Sequence, residues 1–145
     1  MSNKRTSKNL IFDLLRCFLN EEDFIIDKQI LDNNYEALIK ISKRHDILSI
    51  IAYILLNRNY INNEELKKVS YVSIYRYETQ KYKILKLIEE LNSNKIDFIL
   101  LKGAVIRDYY LEPYLRTSCD IDVLIKEKQV SEATGMSRKV CKPFF

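Results

Sequence analysis

Asp120-Ile121-Asp122 is the tightest grouping of chemistry-bearing residues in the chain. If Asp120 to Ile125 is a strand, alternate side chains share a face. Both carboxylates then point the same way, with Cα atoms about 6.5–7 Å apart. Ile121, Val123 and Ile125 turn toward the core. Paired carboxylates repel, and a divalent cation relieves the repulsion. Their oxygens suit one hard cation, or two held about 3.5–4 Å apart. A solvated strand end carries the same Asp-x-Asp, so its surroundings decide its weight. Upstream, Leu100-Leu101-Lys102-Gly103-Ala104 runs from an apolar strand through glycine into a helix. Amides at a helix start face anions, and glycine lets a phosphate approach the backbone. Lys102 reads as a phosphate contact or as a solvated charge. Arg116, four residues before Asp120, can pair a phosphate, brace the carboxylates or form a surface ion pair.

These residues need elements to hold them. Ser7 can cap a first helix, roughly Lys8 to Leu19, whose Leu10, Ile11, Leu14, Leu15 and Phe18 follow helical spacing. Asn33 with Glu36 resembles a capping box opening a second helix to about Arg44. Asp46 can cap a third, Ile47 to Asn57, apolar nearly all round and therefore buried. Asn62 with Glu65 opens a long helix running to about Leu91. Its second half carries an apolar seam through Tyr77, Lys81, Ile84, Ile88 and Leu91. Asn92-Ser93-Asn94 stops it. The pattern then changes. Ile96 to Leu101 reads as a buried strand, Ala104 to Tyr110 as a short helix broken at Glu112-Pro113, Asp120 to Ile125 as a second strand, and Lys126 onward as a helix start. The expected fold is α+β: a helical region over 1–93 and an incomplete α/β core over 94–134. The tail, 135–145, shows neither helical nor strand periodicity. It looks cut or frameshifted, because two strands alone make a marginal sheet.

Composition bounds the function. About 47% of residues are apolar and 30% charged, the balance of a globular protein. Only two Gly and two Pro occur, against about ten and seven from average usage, which favours helices and short connections. The net charge of +4 is too mild and scattered to indicate nucleic-acid binding. Three cysteines without C-x-x-C spacing and a single histidine, His45, argue against a disulfide framework or a His-rich metal site. The N-terminus has no apolar h-region, and the longest apolar run, Ile47 to Leu56, is half a membrane span. A cytoplasmic protein is expected.

The stretch from Phe98 to Ala104, with Leu101-Lys102-Gly103, and the stretch from Leu115 to Ile125, with Arg116 and Asp120-Ile121-Asp122-Val123-Leu124-Ile125, resemble the nucleotidyltransferase superfamily with the DNA-polymerase-beta-like fold. More narrowly, they resemble the bacterial family of uncharacterised nucleotidyltransferases, whose pattern reads L-K-G and then R-x-x-x-D-I-D-L-L-V. The helical region is similar too, including the Lys43-Arg44-His45-Asp46 step; the resemblance covers about residues 8 to 133. It implies that Asp120 and Asp122 hold Mg²⁺ and that Gly103 starts the helix meeting a nucleoside triphosphate. Ala104, Lys102 and Arg116 would serve phosphate contact or site support. The implied reaction moves a nucleotidyl group from an NTP to an acceptor: a small molecule, a protein or an RNA end.

Two departures from the superfamily stand out. Gly103-Ala104 replaces its usual Gly-Ser or Gly-Gly, which removes a hydroxyl but keeps the amide. Its third carboxylate, on a later strand, has no counterpart here, since Glu127 and Glu132 fall in the helix start. The isolated chain could then be inactive. Two further readings stay open: a non-catalytic helical binding module with a vestigial nucleotidyltransferase core, and a toxin–antitoxin component, the latter by fold analogy alone. Among other residues, His45 reads as structural or capping. Tyr71, Tyr75 and Tyr82 read as packing or interface residues, Tyr109 and Tyr110 as core in preference to the lining of a substrate pocket, and Cys119 as a small buried residue. Lys67, Lys68, Lys81, Lys83 and Lys86 form a solvated basic face.

Overall fold

The computed structural model describes residues 7–22, 25–117, 120–130 and 133. The tail reading over 135–145, Glu132 and Cys119 lie outside them. Among the described residues five α-helices and two strands follow in order: α1 (Ser7–Asn20), α2 (Lys28–Arg44), α3 (Leu48–Asn57), α4 (Glu64–Ser93), β1 (Phe98–Leu101), α5 (Gly103–Ile106) and β2 (Asp122–Ile125). This is the expected α+β class, with helices dominant. The chain forms two compact units, Met1–Ser73 and Ile74–Phe145.

In the first unit α1, α2 and α3 pack on one another. Leu10, Leu14, Leu31, Leu38, Ile51, Ala52 and Leu55 are all buried between them. α3 is apolar nearly all round, and Ser49, Ile51, Ala52, Ile54 and Leu55 along it are buried, as its composition predicts. Phe18 meets Tyr53 edge to face, centroids 5.9 Å apart, a favoured aromatic geometry.

The helix starts differ from expectation in detail. Asp27 caps α2, its carboxylate accepting from the amides of Gln29 and Ile30. The helix therefore opens well before Asn33 and Glu36, which lie in its interior. Asn63, rather than Asn62, caps α4 by accepting from Glu65 at 2.7 Å. Asp46 is not the cap of α3. It has φ 54° and closes α2 instead. The Ile47 amide reaches back to the Ser42 carbonyl at 3.0 Å and the Asp46 amide to Lys43 at 3.4 Å. That bond pair defines a Schellman ending. His45 is its C-cap residue, in keeping with the capping role expected of it.

In the second unit β1 and β2 pair antiparallel, with Phe98 opposite Ile125, Ile99 opposite Leu124, Leu100 opposite Val123 and Leu101 opposite Asp122. Phe98, Val123 and Ile125 pack against Leu91, Ile96 and Ala133, with Leu87 from α4. Ile99 and Leu124 are exposed, so β1 is half-buried rather than covered on both faces. Both strands begin two residues later than expected, at Phe98 and Asp122. On α4 the expected seam holds at Tyr77, Ile84, Ile88 and Leu91, which are buried or partly buried, and differs at Lys81. Gln80, Ile84 and Leu91 are buried, while Lys81 is exposed. A lysine ammonium keeps its hydration, and the shorter uncharged amide takes the inward place.

Candidate functional site

The site lies where β1 turns into α5 and where β2 begins. Leu101, the last residue of β1, sits opposite Asp122, the first of β2. The pairing brings the two halves of the motif side by side, although a long loop separates them in sequence. Val123 turns toward the Leu91–Ile96 core, so Asp122 takes the opposite face by strand alternation. Asp120 precedes the ladder and is exposed.

Lys102 bridges the halves. Its ammonium is 3.2 Å from an Asp122 carboxylate oxygen, with side chains 75% and 41% exposed respectively. Its backbone has φ 46° and ψ −115°, a region that suits glycine and costs other residues about 1–3 kcal/mol. The Lys102 carbonyl then accepts from Val105 and Ile106 and closes the first turn of α5. Gly103 is buried and has no positive φ. Its small size therefore serves close packing, and the conformational demand falls on the lysine before it. Ala104, next in α5, is partly buried. Arg116 is partly buried, with its guanidinium 5.8 Å from the Tyr110 ring centroid, a cation–π arrangement. Tyr109 and Tyr110 are both exposed, so neither is the core residue expected from the sequence. Ile106 and Leu111 are exposed beside them; this loop has little core of its own to enter.

Two residues of the site escaped the sequence reading. Arg107 is only 4% exposed and Gln80 only 9%. Arg107 donates through Nη2 to Gln80 Oε1 at 2.6 Å and through Nε to the Gly103 carbonyl at 3.1 Å. Its guanidinium lies 5.6 Å from the Tyr77 ring. Gln80 Nε2 in turn approaches the Asp120 carbonyl at 3.5 Å. Helical spacing offered a signal for both. Gln80 falls on the Tyr77–Ile84–Leu91 face of α4, and Arg107 follows Gly103 by four residues.

The chemistry of the donors fits Mg²⁺. Two carboxylates supply hard oxygen ligands, and one of them already holds a cation, the Lys102 ammonium. Mg²⁺ is commonly bound by one or two protein carboxylates, with waters and substrate phosphates completing an octahedron. Among the described residues, no group of three or more His, Cys, Asp or Glu gathers in one place.

With this geometry in view, the family follows. A model of the family described as uncharacterised nucleotidyltransferase matches residues 32–136. The chain belongs to that family. The match covers the helical segments from within α2 onward as well as the site, so the helices are part of what defines the family. No curated protein and no solved structure matches the chain. No helix among the described residues is long and apolar enough to cross a membrane.

Proposed function

We propose that this chain binds a nucleoside triphosphate with Mg²⁺ and serves nucleotidyl transfer to an acceptor. Asp120 and Asp122 hold the metal. Lys102, the Gly103–Ala104 amides and Arg116 meet the phosphates. A Mg²⁺ held by these carboxylates would supply neutralisation of the phosphate charge and orientation for in-line attack. The acceptor oxygen or nitrogen forms a bond to the α-phosphorus and releases its proton to water. The bond from that phosphorus to the bridging oxygen breaks, and pyrophosphate departs with the electron pair. The chain's own share is positioning and electrostatics. Lys102 holds positive charge beside the carboxylates and the α5 start, where its ammonium would be in reach of a phosphate oxygen.

One observation carries the reading: the ammonium of Lys102 lies 3.2 Å from Asp122 across the β1–β2 pair. It joins the Leu-Lys-Gly and Asp-x-Asp segments into one polar site. A fluorescent titration with mant-ATP, with Mg²⁺ or with EDTA, tests it. Wild type binds more tightly with Mg²⁺, and Asp122→Asn loses most of that gain while staying folded. Equal binding by Asp122→Asn would refute the assignment.

A second reading, a binding module without catalysis, draws on the two-carboxylate donor set, since no third acidic ligand joins the site among the described residues. Pyrophosphate release separates the readings. Mg²⁺-dependent nucleotide binding with no release, across a panel of acceptors, favours the binding module.

A further inference from the structure

We propose that Arg107 and Gln80 form a buried relay that sets Asp120 at its working position relative to the Gly103 turn. The proposal rests on the metal–nucleotide reading above and adds two positioning residues to it. Arg107 is a donor-only group. It therefore fixes which end of the Gln80 amide faces it: the oxygen accepts from Nη2 at 2.6 Å. The amide nitrogen is left to face the Asp120 carbonyl, at 3.5 Å. On its other side Arg107 holds the Gly103 carbonyl at 3.1 Å. One guanidinium thus links the phosphate-facing turn, the long helix α4 and the residue carrying the first carboxylate.

The chemistry of the relay is unusual for packing alone. A guanidinium buried to this degree is costly to desolvate, and buried charges are normally paired. The partners shown for Arg107 are a carbonyl, an amide oxygen and the face of Tyr77, all neutral. The charge is left uncompensated by them and adds positive potential beneath the site. An apolar side chain would fill the same space without that cost. Groups that orient metal ligands are typically worth about 10–100-fold in metal affinity or activity. The Gln80–Asp120 contact is the long link, and such contacts often tighten only in the loaded complex.

Gln80→Glu isolates the link. A carboxylate still accepts from Arg107, so the buried cation keeps a partner and the fold keeps its melting temperature. It offers an oxygen, not an N–H, to the Asp120 carbonyl. The expected result is about tenfold weaker mant-ATP binding with Mg²⁺ and unchanged binding in EDTA. A purely structural role would lower both affinities together or neither. Should Gln80→Glu melt early, Arg107→Lys is read by the same ratio, since it keeps the charge and loses the two-way fork. Mg²⁺-dependent binding at the wild-type level in the folded variant overturns the relay alone, provided that Asp122→Asn weakens binding. Wild-type protein whose nucleotide binding ignores Mg²⁺ overturns the underlying reading, and the relay with it.

Discussion

Lys102 pairs a strained backbone with an ion pair to a candidate metal ligand, Asp122. Its φ of 46° and ψ of −115° would be free of cost for glycine, yet the position holds a long cation. Strain of this kind persists where the side chain has a task and the surroundings enforce the conformation. Two substitutions separate task from strain. Lys102→Gly removes both, so it should raise unfolding stability by about 1 kcal/mol and weaken Mg²⁺-dependent nucleotide binding. Lys102→Ala keeps the strain and loses the charge, so it should weaken binding without the stability gain. Urea melts and mant-ATP titrations on both variants read this directly. A Lys102→Gly protein that is less stable than wild type would mean that the turn is not strained. Sequence reasoning reached Lys102, Asp120 and Asp122 because their motif is local. It missed Arg107 and Gln80 because their meeting depends on how α4 lies against the Gly103 turn.

The helices share a feature that follows from a chain with two glycines. α1, α2, α3 and α4 are each followed by a left-handed residue that is not glycine: Glu21, Asp46, Asn59 and Lys95, with φ between 54° and 56°. Each is part of a tight return. Ile96, for example, donates to the Leu91 carbonyl at 2.9 Å just past Lys95. Left-handed backbone costs an ordinary residue about 1–2 kcal/mol. Lys95→Gly should therefore stabilise the protein by about 0.5–1 kcal/mol, net of the freedom glycine adds to the unfolded chain. At the other end, Asp27→Ala removes the α2 cap and should cost about 1 kcal/mol. Thermal melts of the two variants should move in opposite directions. This also shows why the starts and stops were only partly legible. Without glycine, the residue that ends a helix has the same polar type as one that begins the next. Asp46 reads as a start for that reason, and Asn33 with Glu36 reads as a capping box inside a helix that Asp27 opens. Periodicity is a stronger signal than a single polar residue, so α1, α3 and the length of α4 were legible.

At the scale of the whole molecule, core formation in the Met1–Ser73 unit can be tested through Cys17. The side chain is buried. Desolvation pushes its thiol above the ordinary value of 9.0, with Arg58 pulling the other way. In the folded state Cys17 therefore keeps its proton to higher pH than in the unfolded chain. Its contribution to stability is fully present below pH about 9 and is lost as pH rises beyond it. The stability difference between wild type and Cys17→Ala should narrow from pH 8 to pH 10 in urea melts. Native iodoacetamide labelling, mapped by mass spectrometry, should leave Cys17 unmodified until denaturant is added. In the Ile74–Phe145 unit, Leu91→Ala should cost about 2–5 kcal/mol, because Leu91 is central to the packing of β1 and β2 on α4.

The proposed function stands or falls on whether Asp120 and Asp122 together hold a divalent cation that nucleotide then shares. Electron paramagnetic resonance of Mn²⁺ reads this without needing an acceptor. Adding wild-type protein and ATP should remove the free Mn²⁺ signal beyond what ATP alone removes, and the Asp120→Asn plus Asp122→Asn double variant should add nothing to ATP alone. Equal loss of signal with wild type and a folded double variant would contradict the site.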